Sequence, residues 1–213
     1  WDDGLFDNPV DVSISGLNVL VTDMNNHRIQ IFDSDLNYIT QLKGTNKDNS
    51  IDEDYFKYPI SCTASSMGDI FILDSENKRI LKMDPSGKFL LKFGDYESGE
   101  YTLRNPTKIE AGINYLFAMD DERILLFDLF GNGLIILKTG FNLTNTDVSF
   151  NKIFFNNKSE LYEGEFIQDT FEIKKITLEG YDFNSDIIKC NGDGNSIFVL
   201  LKDRIVQFKN KKG

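Results

Sequence analysis

The chain has one histidine, two cysteines, four prolines and one tryptophan in 213 residues. Each scarcity excludes something. A single imidazole, His27, cannot build a multi-histidine zinc centre, nor any catalytic arrangement that needs two imidazoles. Cys62 and Cys190 form no CxxC and no metal-binding spacing. They admit a disulfide across a ring or two buried thiols, and isolated cysteines in a core favour the thiols. No apolar run approaches the ~20 residues that a membrane-spanning helix requires. The first residues show no basic, apolar and small succession, so a signal peptide is expected to be absent or already removed. Positive charge is also short: 23 Lys and Arg face 34 Asp and Glu, for a net charge of −11. That balance opposes nucleic-acid binding, which needs a basic footprint to displace counterions. The one basic cluster, "KNKKG" at 209–213, reads as a solvated tail.

What the chain does have is repetition. "NPVDVSISGLNVLVTDMNNHRIQIFDSDLNYITQLKG" (8–44) returns as "YPISCTASSMGDIFILDSENKRILKMDPSGKFLLKFG" (58–94), then as "NPTKIEAGINYLFAMDDERILLFDLFGNGLIILKTG" (105–140). Pro9, Pro59 and Pro106 recur at intervals of 50 and 47 residues, and Gly44, Gly94, Gly140 and Gly180 close successive units. Five units follow, roughly 4–44, 51–94, 101–140, 141–180 and 181–213, the fourth degenerate and the fifth stopping early.

Each unit reads as four short strands. In the first these are Val10–Ile14, Val19–Thr22, Arg28–Phe32 and Tyr38–Leu42, runs rich in Val, Ile and Phe set between Asp, Asn and Gly. No segment sustains a capped helical period, so almost no helix is expected. The turn "DPSG" (84–87) places Pro where φ is already right and Gly where a left-handed residue is wanted; "DLFG" (128–131) repeats it. In "FDSDLN" (32–37), Asn37 is expected to stand in for that Gly. Tandem four-strand units predict an all-β chain: a β-propeller of four-stranded antiparallel blades with five repeat units visible, either five-bladed or an incomplete six-bladed ring. Residues 1–213 form a single domain on this reading.

The units resemble NHL repeats. The family pattern is a Pro-led strand, an apolar strand ending in Asp, a polar turn, Asn-x-Arg-Ile, and an aromatic-Asp before a glycine turn. It is written here as "TDMNNHRIQIFD" (22–33) and "LDSENKRILKMD" (73–84), with "MDDERILLFD" (119–128) lacking two turn residues and "KDRIVQF" (202–208) keeping only the end. The resemblance implies a propeller and no particular activity. Asp23, Arg28, Asp74, Arg79, Asp120, Arg123 and Arg204 form the repeated signature. A group present in blade after blade is expected to tie turns together rather than bind a ligand.

Candidate sites are fewer. The acidic connections "TNKDNSIDEDY" (45–55) and "GDYESGEY" (94–101) place Asp48, Asp52, Glu53, Asp54, Asp95 and Glu97 on one face, as a rim for a protein partner or as a solubilising surface. The zinc centre of the NHL-like amidating lyases is ruled out by the single histidine. A calcium-dependent hydrolase resembling the gluconolactonase and paraoxonase propellers would need hard oxygen ligands at the channel mouth. Asp11, Glu110, Asp147 and Asp186 are the candidates, each near the first strand of its unit. His27 is read as a turn residue, the position Lys78 holds in the next unit. "NLT" (142–144) and "NKS" (157–159) match the glycosylation acceptor pattern. The expected role is a non-enzymatic, protein-binding scaffold without cofactor, acting through loop faces or the channel mouth. A start other than Met, little cysteine and acidity fit an exported bacterial protein.

Overall fold

The computed structural model describes residues 4–43, 55–149, 152–167, 170–177, 187–192 and 196–209. Strand follows strand as an antiparallel meander. The first blade holds β1 (Pro9–Ser15), β2 (Asn18–Asp23), β3 (Arg28–Phe32) and β4 (Tyr38–Lys43). The second holds β5 (Pro59–Ala64), β6 (Ile70–Asp74), β7 (Arg79–Met83) and β8 (Phe89–Phe93), and the third β9 (Pro106–Ala111), β10 (Tyr115–Asp120), β11 (Arg123–Asp128) and β12 (Gly133–Lys138). The fourth unit, degenerate in sequence, folds into a full sheet of β13 (Asn145–Ser149), β14 (Lys152–Asn156), β15 (Leu161–Ile167) and β16 (Thr170–Ile176). The fifth has three strands among the described residues: β17 (Ile187–Gly192), β18 (Ser196–Leu201) and β19 (Ile205–Lys209). Helix is confined there to two 3₁₀ segments, Met24–Asn26 and Tyr96–Tyr101. The sheets form a five-bladed β-propeller, first strands side by side: β1 beside β5, β5 beside β9, β9 beside β13 and β13 beside β17.

The side-chain period of two sends alternate residues of each strand to opposite faces, and each face meets a different neighbour. Ile70 and Ile72 of β6 join Cys62, Leu81 and Met83 against Leu20, Ile29 and Ile31 of the first blade. Phe71 and Leu73, the alternate positions, pack instead with Ile109, Leu116, Leu125 and Phe127 of the third. Phe117, Ile124 and Leu126 continue the series against Ile153 and Phe155, and Phe154 and Leu161 meet Cys190, Ile197 and Val199. Full burial of side chains of this size contributes roughly 1.5–3 kcal/mol each, so the interfaces between blades are the core.

The signature residues fasten the chain's entry into each blade. The Arg28 guanidinium donates to Asp23 (2.8 Å) and to the Leu5 carbonyl (2.5 Å), while the Asp23 carboxylate accepts from Asn26 and from the Asp7 N–H. Arg79 repeats this with Asp74 and the Tyr55 carbonyl, as Asp74 accepts from Asn77 and the Lys57 N–H. Arg123 does so with Asp120 and the Thr102 carbonyl, as Asp120 accepts from the Arg104 and Asn105 N–H groups. The tied carbonyl always lies four residues before the strand-leading proline, Pro9, Pro59 or Pro106. Arg204 departs from the pattern. It is exposed and pairs with its neighbour Asp203, because the fifth unit has no Asp facing it at the end of β18.

The turns between third and fourth strands share an Asx geometry. Asp84 Oδ1 accepts from the Ser86 and Lys88 N–H groups, Asp128 Oδ1 from Phe130 and Asn132, and Asp33 Oδ1 from Asp35 and Asn37. Gly87 (φ 85°) and Gly131 (φ 86°) occupy the left-handed position. In the first blade that position belongs to Leu36 (φ 63°), not to Asn37 as the sequence suggested. Asn37 is held one step later, its side chain donating to Asp33 Oδ2.

Removing a buried cation that anchors a blade leaves its carboxylate buried and uncompensated. Arg28→Ala should therefore cost about 3–5 kcal/mol in urea unfolding. Arg204→Ala, at an exposed position, should change stability by no more than about 0.5 kcal/mol.

Candidate functional site

The first strands line the propeller's centre, and their polar residues meet there. On β9, Lys108 and Glu110 lie two apart on one face and form an ion pair (2.5 Å). Burial pulls the Lys108 ammonium down, but the Glu110 carboxylate, with the charges of Asp11 and Asp147, outweighs this and holds it above its ordinary value. Burial pushes the Glu110 carboxyl up and Lys108 pulls it back; with Asp147 and Asp11 also opposing ionisation, it stays above the usual carboxylate range. Asp11, Glu110 and Asp147 thus share one electrostatic environment with Lys108 at its centre.

Asp11 has a further role. Its Oδ2 accepts from Ser61 Oγ (2.7 Å) and from the Cys62 N–H (3.2 Å), so it joins β1 to β5. Ser61 Oγ in turn accepts from the Ile109 N–H (3.2 Å), and Thr63 Oγ1 from the Ala111 N–H (3.1 Å). This polar seam runs across three blades in parallel register. Sequence alternation placed Asp11 and Ser13 on the same face but could not show that the face looks onto the next blade. Asp186 lies outside the described residues.

Calcium requires six to eight oxygen ligands converging on one point. Here an ammonium stands among the three described carboxylates and Asp11 is tied to β5, an arrangement that opposes a cation shared by these three residues. Among the described residues, no group of three or more His, Cys, Asp or Glu side chains is arranged to hold a metal.

Of the acidic rim, Asp48, Asp52, Glu53 and Asp54 lie outside the described residues. Asp95 is buried: it caps the 3₁₀ turn by accepting from the Glu97 N–H (3.1 Å) and pairs with Lys92 (3.3 Å). Glu97 stays exposed beside Tyr96. An open cleft of about 500 Å³ on the same face mixes Arg104, Arg123 and Lys138 with Asp121 and Glu122, without a dominant charge.

His27 does more than fill a turn. It sits at φ 52°, its Nδ1 accepts from the Tyr58 N–H (3.0 Å) and its ring meets the Tyr58 ring edge-on, linking the first blade to the second. Only contact across blades reveals this. Cys62 and Cys190 are free and buried, and burial pushes both thiols up to about 12. Of the glycosylation acceptor patterns, Asn142 is exposed, while Asn157 uses its side chain within its own turn, accepting from the Ser159 and Glu160 N–H groups.

A different set of side chains stands out on the surface. In a meander the first-to-second and third-to-fourth strand turns emerge at one end, while the second-to-third turns and the inter-blade connections emerge at the other. The first end carries Leu17, Leu36, Met67, Ile113 and Phe130, all exposed. Sequence reasoning passed over them because each is a lone apolar residue in a polar turn, and only the shared topology collects them on one face.

Residues 6–32 match the NHL repeat family model. No curated protein sequence matches the chain. Among solved structures, a catalytically inactive virginiamycin B lyase from Staphylococcus aureus with quinupristin superposes at a TM-score of 0.68 with 15% identity, covering 95% of this chain and 66% of that one. A chain of the mitotic checkpoint complex gives 0.67 at 10% identity (96% and 64% covered), and the Kuenenia stuttgartiensis hydrazine synthase 0.63 at 8% (98% and 59%). The chain thus spans between 59% and 66% of the lengths of these neighbours, and at such identities the likeness concerns the fold. The chain folds as a five-bladed β-propeller, and residues 6–32 are similar to an NHL repeat.

Two expectations follow. Because only the thiolate reacts, iodoacetamide at neutral pH should leave both cysteines of the native chain unmodified and label both after denaturation. Lys108→Met leaves three carboxylates without their cation. Of these, Glu110 already lies above the usual carboxylate range, so it is neutralised as the medium is acidified. The destabilisation measured by urea unfolding should therefore be larger at about pH 7 than at about pH 4. In the unaltered chain the raised Lys108 pKa contributes stability that is present below its unfolded value and lost as pH rises through its folded value.

Proposed function

We propose that this propeller is a non-enzymatic protein-binding module that engages its partner through the end bearing Leu17, Leu36, Met67, Ile113 and Phe130. The observation carrying this reading is Leu36. It holds a left-handed backbone where the equivalent positions are Gly87 and Gly131, a conformation that costs a branched L-residue about 1–2 kcal/mol. It is also 67% exposed, so little burial offsets that cost. The hydrogen bonds to Asp33 hold that backbone in place, and they leave a large apolar side chain displayed at the tip of the turn, where a partner could cover it. Met67 and Phe130, 81% and 75% exposed, add large apolar side chains of the kind enriched at the centre of interfaces.

The test separates stability from binding. A photo-crosslinking residue at position 36 or 67 should capture a discrete protein in the native source, while the same probe at Glu97 on the opposite end should not. Leu36→Gly should hold or raise stability by about 1 kcal/mol and weaken that capture. Equal capture from both ends, or capture indifferent to Leu36→Gly, overturns the reading.

The second reading is a calcium-dependent hydrolase of the central channel. It is favoured by the convergence of Asp11, Glu110 and Asp147 and opposed by the ammonium of Lys108 among them. Calcium titration by calorimetry together with chelator-sensitive hydrolysis of lactones or esters would support it.

A further inference from the structure

The two ends of the propeller handle charge differently. Where the signature turns lie, Asp23, Asp74 and Asp120 are each neutralised by an arginine, and the exposed groups Arg104, Lys138, Asp121 and Glu122 mix both signs. At the opposite end, in the turns of the first three blades, Asp69 alone has a cation of its own, the Lys82 ammonium at 2.8 Å. Asp33, Asp35, Asp84 and Asp128 form no ion pair among the described residues. Asp33, Asp84 and Asp128 accept instead from backbone N–H groups of their own turns, and the Asn37, Ser86 and Asn132 side chains add a donor to each. These donors are neutral, so they fix each carboxylate without cancelling its charge. The Asn37 side chain and N–H hold the Asp33 carboxyl below its ordinary value, and the Ser86 hydroxyl and Lys88 N–H do the same for Asp84, so both stay ionised. Lys88 is the one exposed cation in these turns.

The uncompensated carboxylates stand beside the apolar tips. Asp35 immediately precedes Leu36, and Asp128 lies two residues before Phe130. Both tips are held by hydrogen bonds. The Leu36 N–H donates to the Asp33 carbonyl (3.0 Å), and the Phe130 N–H donates to Asp128 Oδ1 (2.9 Å). Lys82, itself buried, donates to the Leu129 carbonyl (2.9 Å) and so pins the third-blade turn to the second blade. Its ammonium also lies 5.6 Å from the centre of the Phe130 ring and 5.7 Å from that of Phe71. Apolar groups fixed in this way lose little conformational freedom when a partner covers them.

We propose that the turn end binds a basic polypeptide segment in which lysine or arginine alternates with apolar side chains. Its apolar groups cover Leu36, Met67 and Phe130, and its cations meet Asp33, Asp35, Asp84 and Asp128. This inference rests on the reading of the turn end as the docking surface and adds the charge of the partner to it. The same carboxylates repel an acidic partner. With a net charge of −11, a second copy of this chain would bring like charge to like.

The probes are two fluorescein-labelled synthetic peptides, LKKLLKLLKKLLKL and LEELLELLEELLEL, titrated into the purified chain and read by anisotropy. The lysine peptide should bind saturably, and the glutamate peptide about tenfold more weakly or not at all. Asp35→Asn, Asp84→Asn and Asp128→Asn combined should weaken the lysine peptide about tenfold at low salt. Asparagine at 84 and 128 keeps the Oδ1 acceptor, so the turns hold while the charge is lost. Glu97→Gln, Glu100→Gln and Glu122→Gln combined remove the same charge from the opposite end and should change binding by no more than about twofold. Leu36→Gly with Phe130→Ser should weaken the lysine peptide as well. Three results overturn the proposal: no saturable binding of the lysine peptide; equal affinity for both peptides; or equal losses from the two triple variants. The two readings fail separately. Equal affinity for both peptides, abolished by Leu36→Gly with Phe130→Ser, removes the charge preference and leaves the docking surface. Binding of the lysine peptide indifferent to that pair of substitutions removes the docking surface itself.

Discussion

A blade is apolar on both faces, so no blade is stable without its neighbours. That constraint organises everything else in the molecule. It sets the strict alternation of Ile70 and Ile72 against Phe71 and Leu73, each pair directed to a different core. It also explains why sequence divergence in the fourth unit leaves the sheet intact: Ile153, Phe154, Phe155 and Leu161 still supply both walls. Retention of apolar character at alternating positions is enough, and the loss of the signature turn costs a tether rather than a core.

The polar groups serve the same end from the opposite direction. Each Asp–Arg pair fixes the connection that enters a blade, and the seam of Asp11, Ser61 and Thr63 fixes successive first strands to one another. At the centre, Lys108 balances carboxylates that would otherwise repel across a narrow space. The faces between neighbouring blades are consumed by packing, and the turns are where one blade differs most from the next.

Much of this was legible in the chain itself. The spacing of Pro9, Pro59 and Pro106 and the alternation within Val10–Ile14 and Val19–Thr22 gave strands that the structure places within a residue or two, because strand pattern is a local property. The signature turn was readable as structural because it recurred. Leu36 was not readable: "DSDLN" admits a left-handed residue at two positions, and only the hydrogen bonds to Asp33 decide between them. Nor was the role of His27, whose partner Tyr58 lies 31 residues away. Asp95 looked like a surface charge and proved to be a buried cap, since charge runs carry no mark of which member turns inward.

The sequence by itself determined the unit: four short strands, their order, their turns and the residues each face would bury. All of these follow from backbone periodicity and turn chemistry acting over a few residues. Only the tertiary structure decided which faces stay bare, which carboxylates meet at the centre, and which lone apolar residues gather at one end. Those outcomes depend on contacts between residues about fifty positions apart, and no local pattern encodes them.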